Sequence, residues 1–384
     1  MITEYNVFVP AIMGCGASLR TGLKLRELGC SKVLVVYDKG LKATGISDTI
    51  VENIKNAGIE TVCFDGVLPD PPDTMVEEAT EFARGEAIDG IVAIGGGSAI
   101  DSAKAINVLI NNPPPIRQYF GVQHNLKPGV PMVFIPTTSG TGSEVTNMCV
   151  ISCTSRGNKE SVISPECVGT LAILDPELTV GLPPKMTAAT GVDALAHAVE
   201  SLTGGQTNPI SDALARDAIR AITKWLPVAY HDGSNIEARE QMLLASMFAG
   251  MAFTNALVHL GHCMGHTFGA HFHIPHGIAC GVTLPEVIEY SAKTEYKKVR
   301  MICDCLGVEV AEDALPEEIG ATARRALRSL IKSVGIPNLK ELGISLEDAV
   351  KLAPLVTADT GFALVPYRIT AAKVAEMIKS AYAA

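Results

Sequence analysis

The strongest constraint on the fold is a change of pattern partway along the 384-residue chain. Before Leu182, short runs rich in apolar and β-branched residues alternate with helical stretches. The clearest of these runs are KVLVVYD (32–38), GIVAI (90–94) and PMVFIP (131–136). Strands that alternate with helices predict a parallel, doubly wound sheet with helices on both faces. After Leu182-Pro183-Pro184 the pattern is helix after helix, rich in Ala, Leu and Met.

We therefore expect two domains, a Rossmann-like α/β domain over residues 1–183 and an all-helical domain over residues 184–384. The composition, with 47% apolar and 19% charged residues, is typical of a globular protein. No apolar run reaches the roughly 18 residues that a membrane-spanning helix needs, and MITEYNVFVP has no signal-peptide pattern. We expect a cytoplasmic protein whose ten cysteines are reduced thiols. The net charge of −10 argues against nucleic acid and anionic membranes as partners.

Two glycine clusters follow strands and are candidates for a nucleotide site. The first, GCGASL (14–19), lacks the third glycine of G-x-G-x-x-G, and we interpret it as a tight turn that opens a helix. The second follows a buried strand as Gly95, Gly96 and Gly97, and Ser98 can cap the next helix. Glycines let the backbone approach a pyrophosphate closely, and a helix N-terminus favours the anion. This cluster therefore predicts a nucleotide site.

Two further segments are suited to the same crevice of a doubly wound sheet. TTSGTGSE (137–144) follows the next apolar strand and supplies hydroxyls and glycines. Asp38 ends KVLVVYD, where a dinucleotide fold places an acid against a ribose 2′-hydroxyl. Its charge would repel a 2′-phosphate, so we expect NAD rather than NADP as the cofactor.

A candidate metal site begins in GVDALAHAVE (191–200), which has a helical pattern. Asp193 and His197 lie four residues apart, so both project from one helix face and can bind one ion. Glu200 shares this face, and we interpret it as a solvated charge.

Six of the nine histidines lie within VHLGHCMGHTFGAHFHIPHG (258–277). If 257–269 is helical, His259, His262 and His266 form one stripe, and His276 lies beyond the helix on a turn. One histidine of the stripe and one on the turn would complete a four-ligand site with Asp193 and His197. Imidazoles with one carboxylate suit Zn²⁺ or Fe²⁺ and suit Mg²⁺ or Ca²⁺ poorly.

Taken together, these stretches resemble the iron-containing, or type III, alcohol dehydrogenases over essentially the whole chain. The motifs that carry the resemblance, in family order and spacing, are GGGSAID (95–101), TTSGTGSEVT (137–146), LDPEL (174–178), GVDALAHAVE (191–200) and GHCMGHTFGAHFHIPHG (261–277). The resemblance implies a dinucleotide-binding lobe, a helical lobe, and a cofactor and metal in the cleft between them. It implies an NAD-dependent alcohol dehydrogenase or aldehyde reductase in which the metal acts as a Lewis acid during hydride transfer.

Carried over residue by residue, the resemblance implies specific roles. The implied metal ligands are Asp193, His197, His262 and His276. His266 is implied to relay a proton near the nicotinamide. The implied cofactor-binding residues are Asp38, Gly95, Gly96, Gly97, Ser98, Thr137, Thr138, Thr141 and Lys159.

The expected substrate is a small primary alcohol or aldehyde, of the propanediol, lactaldehyde, hydroxybutyrate or sulfoacetaldehyde type. The pocket candidates by family position are Asn147, Met148, Val150, Phe253 and Leu257. His271, with His273, could give the pocket a polar rim attractive to an anionic aldehyde; a surface role is the alternative.

Two other interpretations remain open. One is a sister enzyme of the same fold, similar to glycerol dehydrogenase or dehydroquinate synthase. The other is a metal-binding protein without turnover. The resemblance also implies a homodimer or larger homo-oligomer, and the ligand set accepts either Fe²⁺ or Zn²⁺.

Overall fold

The computed structural model describes residues 5–6 and 9–384. Contacts divide the chain into two compact units. The α/β unit contains residues 9–138 and 142–181 of the described chain, and the helical unit contains residues 5–6, 139–141 and 182–384. The sequence-based boundary lay at 183/184, two residues later, and did not separate residues 139–141 from their neighbours.

The α/β unit is built on a six-stranded parallel sheet, which confirms the predicted fold class. Its strands follow the order β1-β9-β6-β4-β2-β3, and β5, β8 and β7 form a second, three-stranded sheet. The bounds are β1 Ala11–Met13, β2 Lys32–Val36, β3 Glu60–Phe64, β4 Gly90–Gly95, β5 Gly121–Val122, β6 Met132–Pro136, β7 Met148–Cys153, β8 Asn158–Ile163 and β9 Leu171–Leu174.

Buried strands explain the continuous apolar runs in the sequence. All six residues of β4 and all five of β6 are buried, because helices cover both faces of the sheet. The helices of this unit are α1 Thr21–Glu27, α2 Lys39–Ala43, α3 Ile46–Asn56, α4 Asp73–Gly85 and α5 Gly97–Asn111. The chain moves from β2 outward to β3 and then returns to β4 on the other side of β2, so a crevice is expected where β2 and β4 end.

A buried lysine connects α5, through hydrogen bonds, to the start of β7 and to the segment before it. Lys104 is fully buried, and its ammonium donates to the carbonyls of Ser143 (2.6 Å) and Met148 (2.8 Å) and to the Thr146 hydroxyl (2.8 Å). Asp101, one turn earlier, accepts from the Ser143 hydroxyl and from the Val150 amide. Lys104 therefore has a structural role.

The helical unit packs around α6. Its helices are α6 Pro184–Thr203, α7 Pro209–His231, α8 Ile236–Ala256, α9 Leu260–Phe272, α10 His276–Cys305, α11 Pro316–Ser333, α12 Leu346–Lys351, α13 Ala353–Val356 and α14 Ala371–Ala381. Nearly every residue of α6 from Thr187 to Thr203 is buried. Polar side chains on α6 are therefore removed from water and require partners within the protein.

Glycines allow two helices to approach α6 closely. A Cβ at Gly191 would overlap the Leu226 side chain of α7. A Cβ at Gly277, in the first turn of α10, would overlap the carbonyl of Ala189. The start of α10 is thus held directly against α6.

Among the described residues, no single helix is long and apolar enough to cross a membrane. The pair α8 and α9 meets those requirements only when the two are joined, and they are bent by 108° to each other.

Candidate active site

Three of the predicted metal ligands converge in the helical unit. Asp193 projects from α6, His262 from α9, and His276 is the first residue of α10. Their ligand atoms and the thiol sulfur of Cys280 all lie within 4.8 Å of one another. The Asp193 carboxylate and His276 Nε2 are 3.6 Å apart. These groups can therefore face one small cation.

The fourth predicted ligand, His197, lies beside this group. Its ring stacks on that of His262 at a centroid distance of 4.6 Å and on that of Phe253 at 4.3 Å. His197 is buried, and its Nδ1 has no hydrogen-bond partner. Burial lowers the pKa of His197 to about 4, so the ring is neutral near pH 7.

Glu200 fixes the orientation of His262, a role that the sequence analysis missed. It is not the solvated charge that we expected, because the side chain is fully buried on α6. The carboxylate accepts the backbone N–H groups of His259 (3.2 Å), Gly261 (2.7 Å) and His262 (3.1 Å), which form the N-terminus of α9. It also accepts the Nδ1–H of His262.

That hydrogen bond prepares His262 to bind a cation. With the proton on Nδ1, the lone pair of a neutral ring lies on Nε2. His262 Nε2 is buried and has no hydrogen-bond partner, as expected of a nitrogen that serves as a metal ligand. Burial, together with a smaller contribution from nearby His266, lowers the pKa of His262 to about 3. The donor set therefore fits a divalent cation.

His266 is paired with an acid that the sequence did not reveal. It lies on α9, one turn after His262, and its Nδ1 is 3.3 Å from the Asp359 carboxylate. The two rings of His266 and His276 stack at 5.4 Å. Burial raises the pKa of Asp359, but the hydrogen bond and charge of His266 outweigh it, so the net shift is downward. Nothing in the local sequence links Asp359 to a residue 93 positions earlier.

The remaining histidines of the cluster separate into buried and exposed ones. His259 is the N-cap of α9 rather than part of its stripe, and its Nε2 hydrogen-bonds to the Thr203 hydroxyl at 2.9 Å. His271 and His273 are exposed at the end of α9, and the Nδ1–H of His271 donates to the Thr267 carbonyl. His276 begins α10 instead of lying on a free turn.

The predicted cofactor residues of the α/β unit lie where three neighbouring strands end. Asp38 follows β2 and caps α2 by accepting the Leu41 amide at 2.9 Å. Gly95 ends β4 with a φ of 149°, and Gly96 is the N-cap of α5. A Cβ at Gly96 would lie 3.1 Å from the Thr138 hydroxyl.

Two details of this edge differ from the sequence interpretation. Ser98 is the second residue of α5 and not its cap, because the helix already begins at Gly97. Thr137 and Thr138 follow β6 in the α/β unit, whereas Thr141 belongs with the helical unit. Lys159, on β8, forms an ion pair with Asp70 at 2.6 Å.

The substrate-pocket candidates are divided between the two units. Asn147 and the β7 residues Met148 and Val150 belong to the α/β unit. Phe253 and Leu257 belong to the helical unit, where Phe253 stacks on His197 and Leu257 ends α8 with a φ of 62°.

Two family profiles match the chain. Residues 10–176 match "Iron-containing alcohol dehydrogenase", and residues 187–382 match "Fe-containing alcohol dehydrogenase family, C-terminal". Among curated relatives, the NAD-dependent methanol dehydrogenase of Bacillus methanolicus is 38% identical, over 98% of this chain and 99% of the relative. The 1,3-propanediol dehydrogenase of Citrobacter freundii is 36% identical over the same shares.

Solved structures agree with these matches. A 1,3-propanediol oxidoreductase superposes with a TM-score of 0.95 at 36% identity and covers 100% of both chains. The sulfoacetaldehyde reductase of Bifidobacterium kashiwanohense, solved with NAD⁺, gives a TM-score of 0.88 at 29% identity and covers 100% of this chain and 99% of its own. Together the two profiles span nearly the whole chain, and the relatives match it over nearly its full length. The protein therefore belongs to the iron-containing alcohol dehydrogenase family and is an oxidoreductase.

Proposed function

We propose that the protein is a metal-dependent, NAD(H)-linked dehydrogenase that interconverts a small primary alcohol and its aldehyde. The observation that carries the proposal is the convergence of Asp193, His262 and His276, with Glu200 holding the His262 ring. Fe²⁺ or Zn²⁺ would bind there, next to His197. The relatives named methanol and 1,3-propanediol dehydrogenase support a small substrate.

A cation held by Asp193, His262 and His276 would supply Lewis-acid chemistry for the substrate oxygen, and NAD(H) would supply the hydride chemistry. The rest follows from the chain's own side chains. Asp193 and the two imidazoles fix the cation site, and the buried setting of His262 excludes water from that side of it.

Oxidation of an alcohol also releases one proton, and His266 is positioned to take it. Its ring is next to His276, and its side chain is 32% exposed, so a proton can pass on to solvent. Asp359 stabilises the protonated ring through its contact with Nδ1. In the reverse direction the same pair returns a proton to the carbonyl oxygen.

The α/β unit supports NAD as the cofactor. Backbone amides at Gly97 and Ser98 open α5 at the end of a buried strand, which suits a pyrophosphate. Asp38, at the end of β2, suits a ribose 2′-hydroxyl. Lys159 would lie near the nicotinamide ribose, with its charge balanced by Asp70.

The proposal is tested by a kinetic panel on metal-reconstituted protein. Protein purified without oxygen is loaded with Fe²⁺ or Zn²⁺, and oxidation of NADH is followed with methanal, 3-hydroxypropanal, lactaldehyde and sulfoacetaldehyde. We expect turnover with at least one neutral aldehyde and loss of turnover in His262→Ala. NADH binding without any turnover would contradict the proposal.

The cofactor preference depends on Asp38. We expect Asp38→Ser to raise kcat/KM for NADPH relative to NADH by about tenfold, equivalent to about 1.4 kcal/mol, because the repelling charge is lost. Serine can still cap α2, so the fold is retained. Asp48→Ser, at an exposed position on α3, is the matched control. If the ratio of kcat/KM for NADPH to that for NADH were unchanged in Asp38→Ser, Asp38 would not lie next to the ribose.

We also propose that the protein works in the cytoplasm as a homo-oligomer with no nucleic-acid or membrane partner. None of the ten cysteines forms a disulfide, which supports a reducing compartment. Light scattering coupled to gel filtration would measure the oligomeric state.

A further inference from the structure

We propose that Asp70 lowers the affinity of the substrate pocket for aldehydes that carry a negatively charged group, because its carboxylate neutralises Lys159. This inference rests on the proposed dehydrogenase function and on the pocket candidates of β7. It makes Asp70 a residue that discriminates between classes of substrate by their charge.

The first argument is the composition of one face of the β7–β8 hairpin. Alternate residues of a strand and their cross-strand partners lie on the same face of a sheet. This face is half-buried and carries two of the pocket candidates. It consists of three antiparallel pairs, namely Met148 with Ile163, Val150 with Ser161, and Ser152 with Lys159. Lys159 is the only charged residue of the six, so it determines the charge of the face.

The second argument is that backbone contacts, and not the ion pair alone, hold Asp70 beside this face. The Asp70 carbonyl accepts the Ser152 hydroxyl at 3.0 Å, and the carbonyl of Pro71 accepts the Ser152 amide at 2.9 Å. Asp70 has a φ of 49°, a left-handed conformation that costs energy in a residue other than glycine. Such a conformation persists only where the surrounding structure enforces it.

The third argument is the charge balance at Lys159. The Asp70 carboxylate lies 2.6 Å from the Lys159 ammonium, and the Lys159 side chain is only 17% exposed. Asp101 also interacts electrostatically with Lys159, but it interacts more strongly with Lys104. Asp70 is therefore the carboxylate that neutralises Lys159.

This neutralisation has a consequence for the substrate. A carboxylate or sulfonate on the aldehyde meets an ion pair without net charge, and gains little from Lys159. If Asp70 lost its charge, Lys159 would attract such a group. One uncompensated charge that is partly screened by solvent changes the binding of an opposite charge by about three- to tenfold.

The test compares two aldehydes of the same chain length, 4-oxobutanoate and its uncharged methyl ester, on metal-reconstituted protein with saturating NADH. Asp70→Asn removes the charge, and asparagine also tolerates the left-handed conformation. We expect the ratio of kcat/KM for 4-oxobutanoate to that for the ester to rise about three- to tenfold, through a lower KM for 4-oxobutanoate. The rise should shrink in about 0.5 M NaCl, because salt screens charges and does not alter packing.

Two further variants complete the test. Asp65→Asn is the matched control, since Asp65 lies in the same loop between β3 and α4 and pairs with Lys42 at 2.9 Å. Its ratio should equal that of the wild type. The double variant Asp70→Asn with Lys159→Met lacks both charges, and its ratio should return toward the wild-type value.

The outcomes separate this inference from the proposed function. An unchanged ratio in Asp70→Asn overturns the inference and leaves the dehydrogenase intact, as does a raised ratio that persists in the double variant. Absence of turnover by the wild type with every aldehyde tested overturns both.

Discussion

At the residue scale, the buried carboxylate of Glu200 has two roles. It accepts backbone amides at the start of α9, and it orients the His262 ring. Its charge satisfies three amides at the start of α9, where a helix dipole favours an anion. The same oxygens hold the Nδ1–H of His262. Burial raises the pKa of Glu200, and the His259 charge and the backbone hydrogen bonds oppose this shift.

The first prediction concerns this carboxylate. Glu200→Gln removes the charge that orients His262, and we expect metal affinity to fall about 10- to 100-fold. Competition with a chromophoric chelator measures the change. Glu237→Gln, at an exposed site in the same unit, is the control. Equal affinities for the two variants would show that Glu200 only caps the helix.

The second prediction concerns Glu144, which is buried in the α/β unit. Burial raises its pKa to about 7, and one carboxylate oxygen has no hydrogen-bond partner. Between the unfolded value of 4.5 and about 7, the folded state keeps a proton that the unfolded state releases. Stability therefore falls as pH rises through this window, by about 3 kcal/mol.

Glu144→Gln cannot lose that proton. We expect its melting temperature to exceed that of the wild type at pH 8 and to match it near pH 5, as measured by calorimetry. Glu177→Gln, at an exposed position in the same unit, should show no such pH-dependent difference. A constant difference between Glu144→Gln and wild type at both pH values would assign the effect to packing.

At the element scale, the site depends on how closely three helices approach one another. α6 supplies Asp193, and α9 supplies His262. α10 begins at His276, directly after its N-cap Pro275, which has no backbone N–H to contribute to the helix. Helix spacing predicted that Asp193 can bind an ion together with His197, whereas only the family resemblance selected His262 from the histidine stripe. It misplaced His259 and His276, since the ends of helices depend on capping partners from distant segments.

The third prediction concerns the contact between α10 and α6. Gly277→Ala adds a methyl group against the Ala189 carbonyl and the Asp193 side chain, so α10 must shift. We expect a loss of about 1–3 kcal/mol in unfolding free energy, measured in urea, and weaker metal binding because His276 is the adjacent residue. Gly205→Ala has only an ordinary contact with Pro366 and should change neither quantity.

At the scale of the whole molecule, the sequence predicted the fold class because alternating strands and helices have few compact arrangements. It also identified Asp193, His262 and His276, whose side chains the structure brings together. It did not identify Glu200 as buried, or Asp359 and Cys280 as neighbours of the histidines. A carboxylate on a helix looks the same in sequence whether the helix is central or exposed, and contacts across 93 residues leave no local pattern.

The fourth prediction follows from the assignment of all the proposed metal ligands to one unit. Trp225 is the only tryptophan and lies on α7 of the helical unit. Metal at a free concentration of 100 times its Kd stabilises the folded state by about 2.7 kcal/mol. We therefore expect a chelator to lower the melting midpoint reported by Trp225 fluorescence. His262→Ala should melt at the same midpoint with or without the chelator.

Because residues 139–141 belong to the helical unit, the chain cannot be divided cleanly into two fragments at the boundary near residue 181. A fragment that ends at Gly181 would carry a tripeptide whose packing partner, Thr190 against Gly140, lies on the missing piece. The complementary fragment would lack that tripeptide and leave the surface beside Thr190 uncovered. Split versions of the enzyme should therefore regain activity only on co-expression, since the N-terminal half holds a tripeptide that belongs to the helical unit.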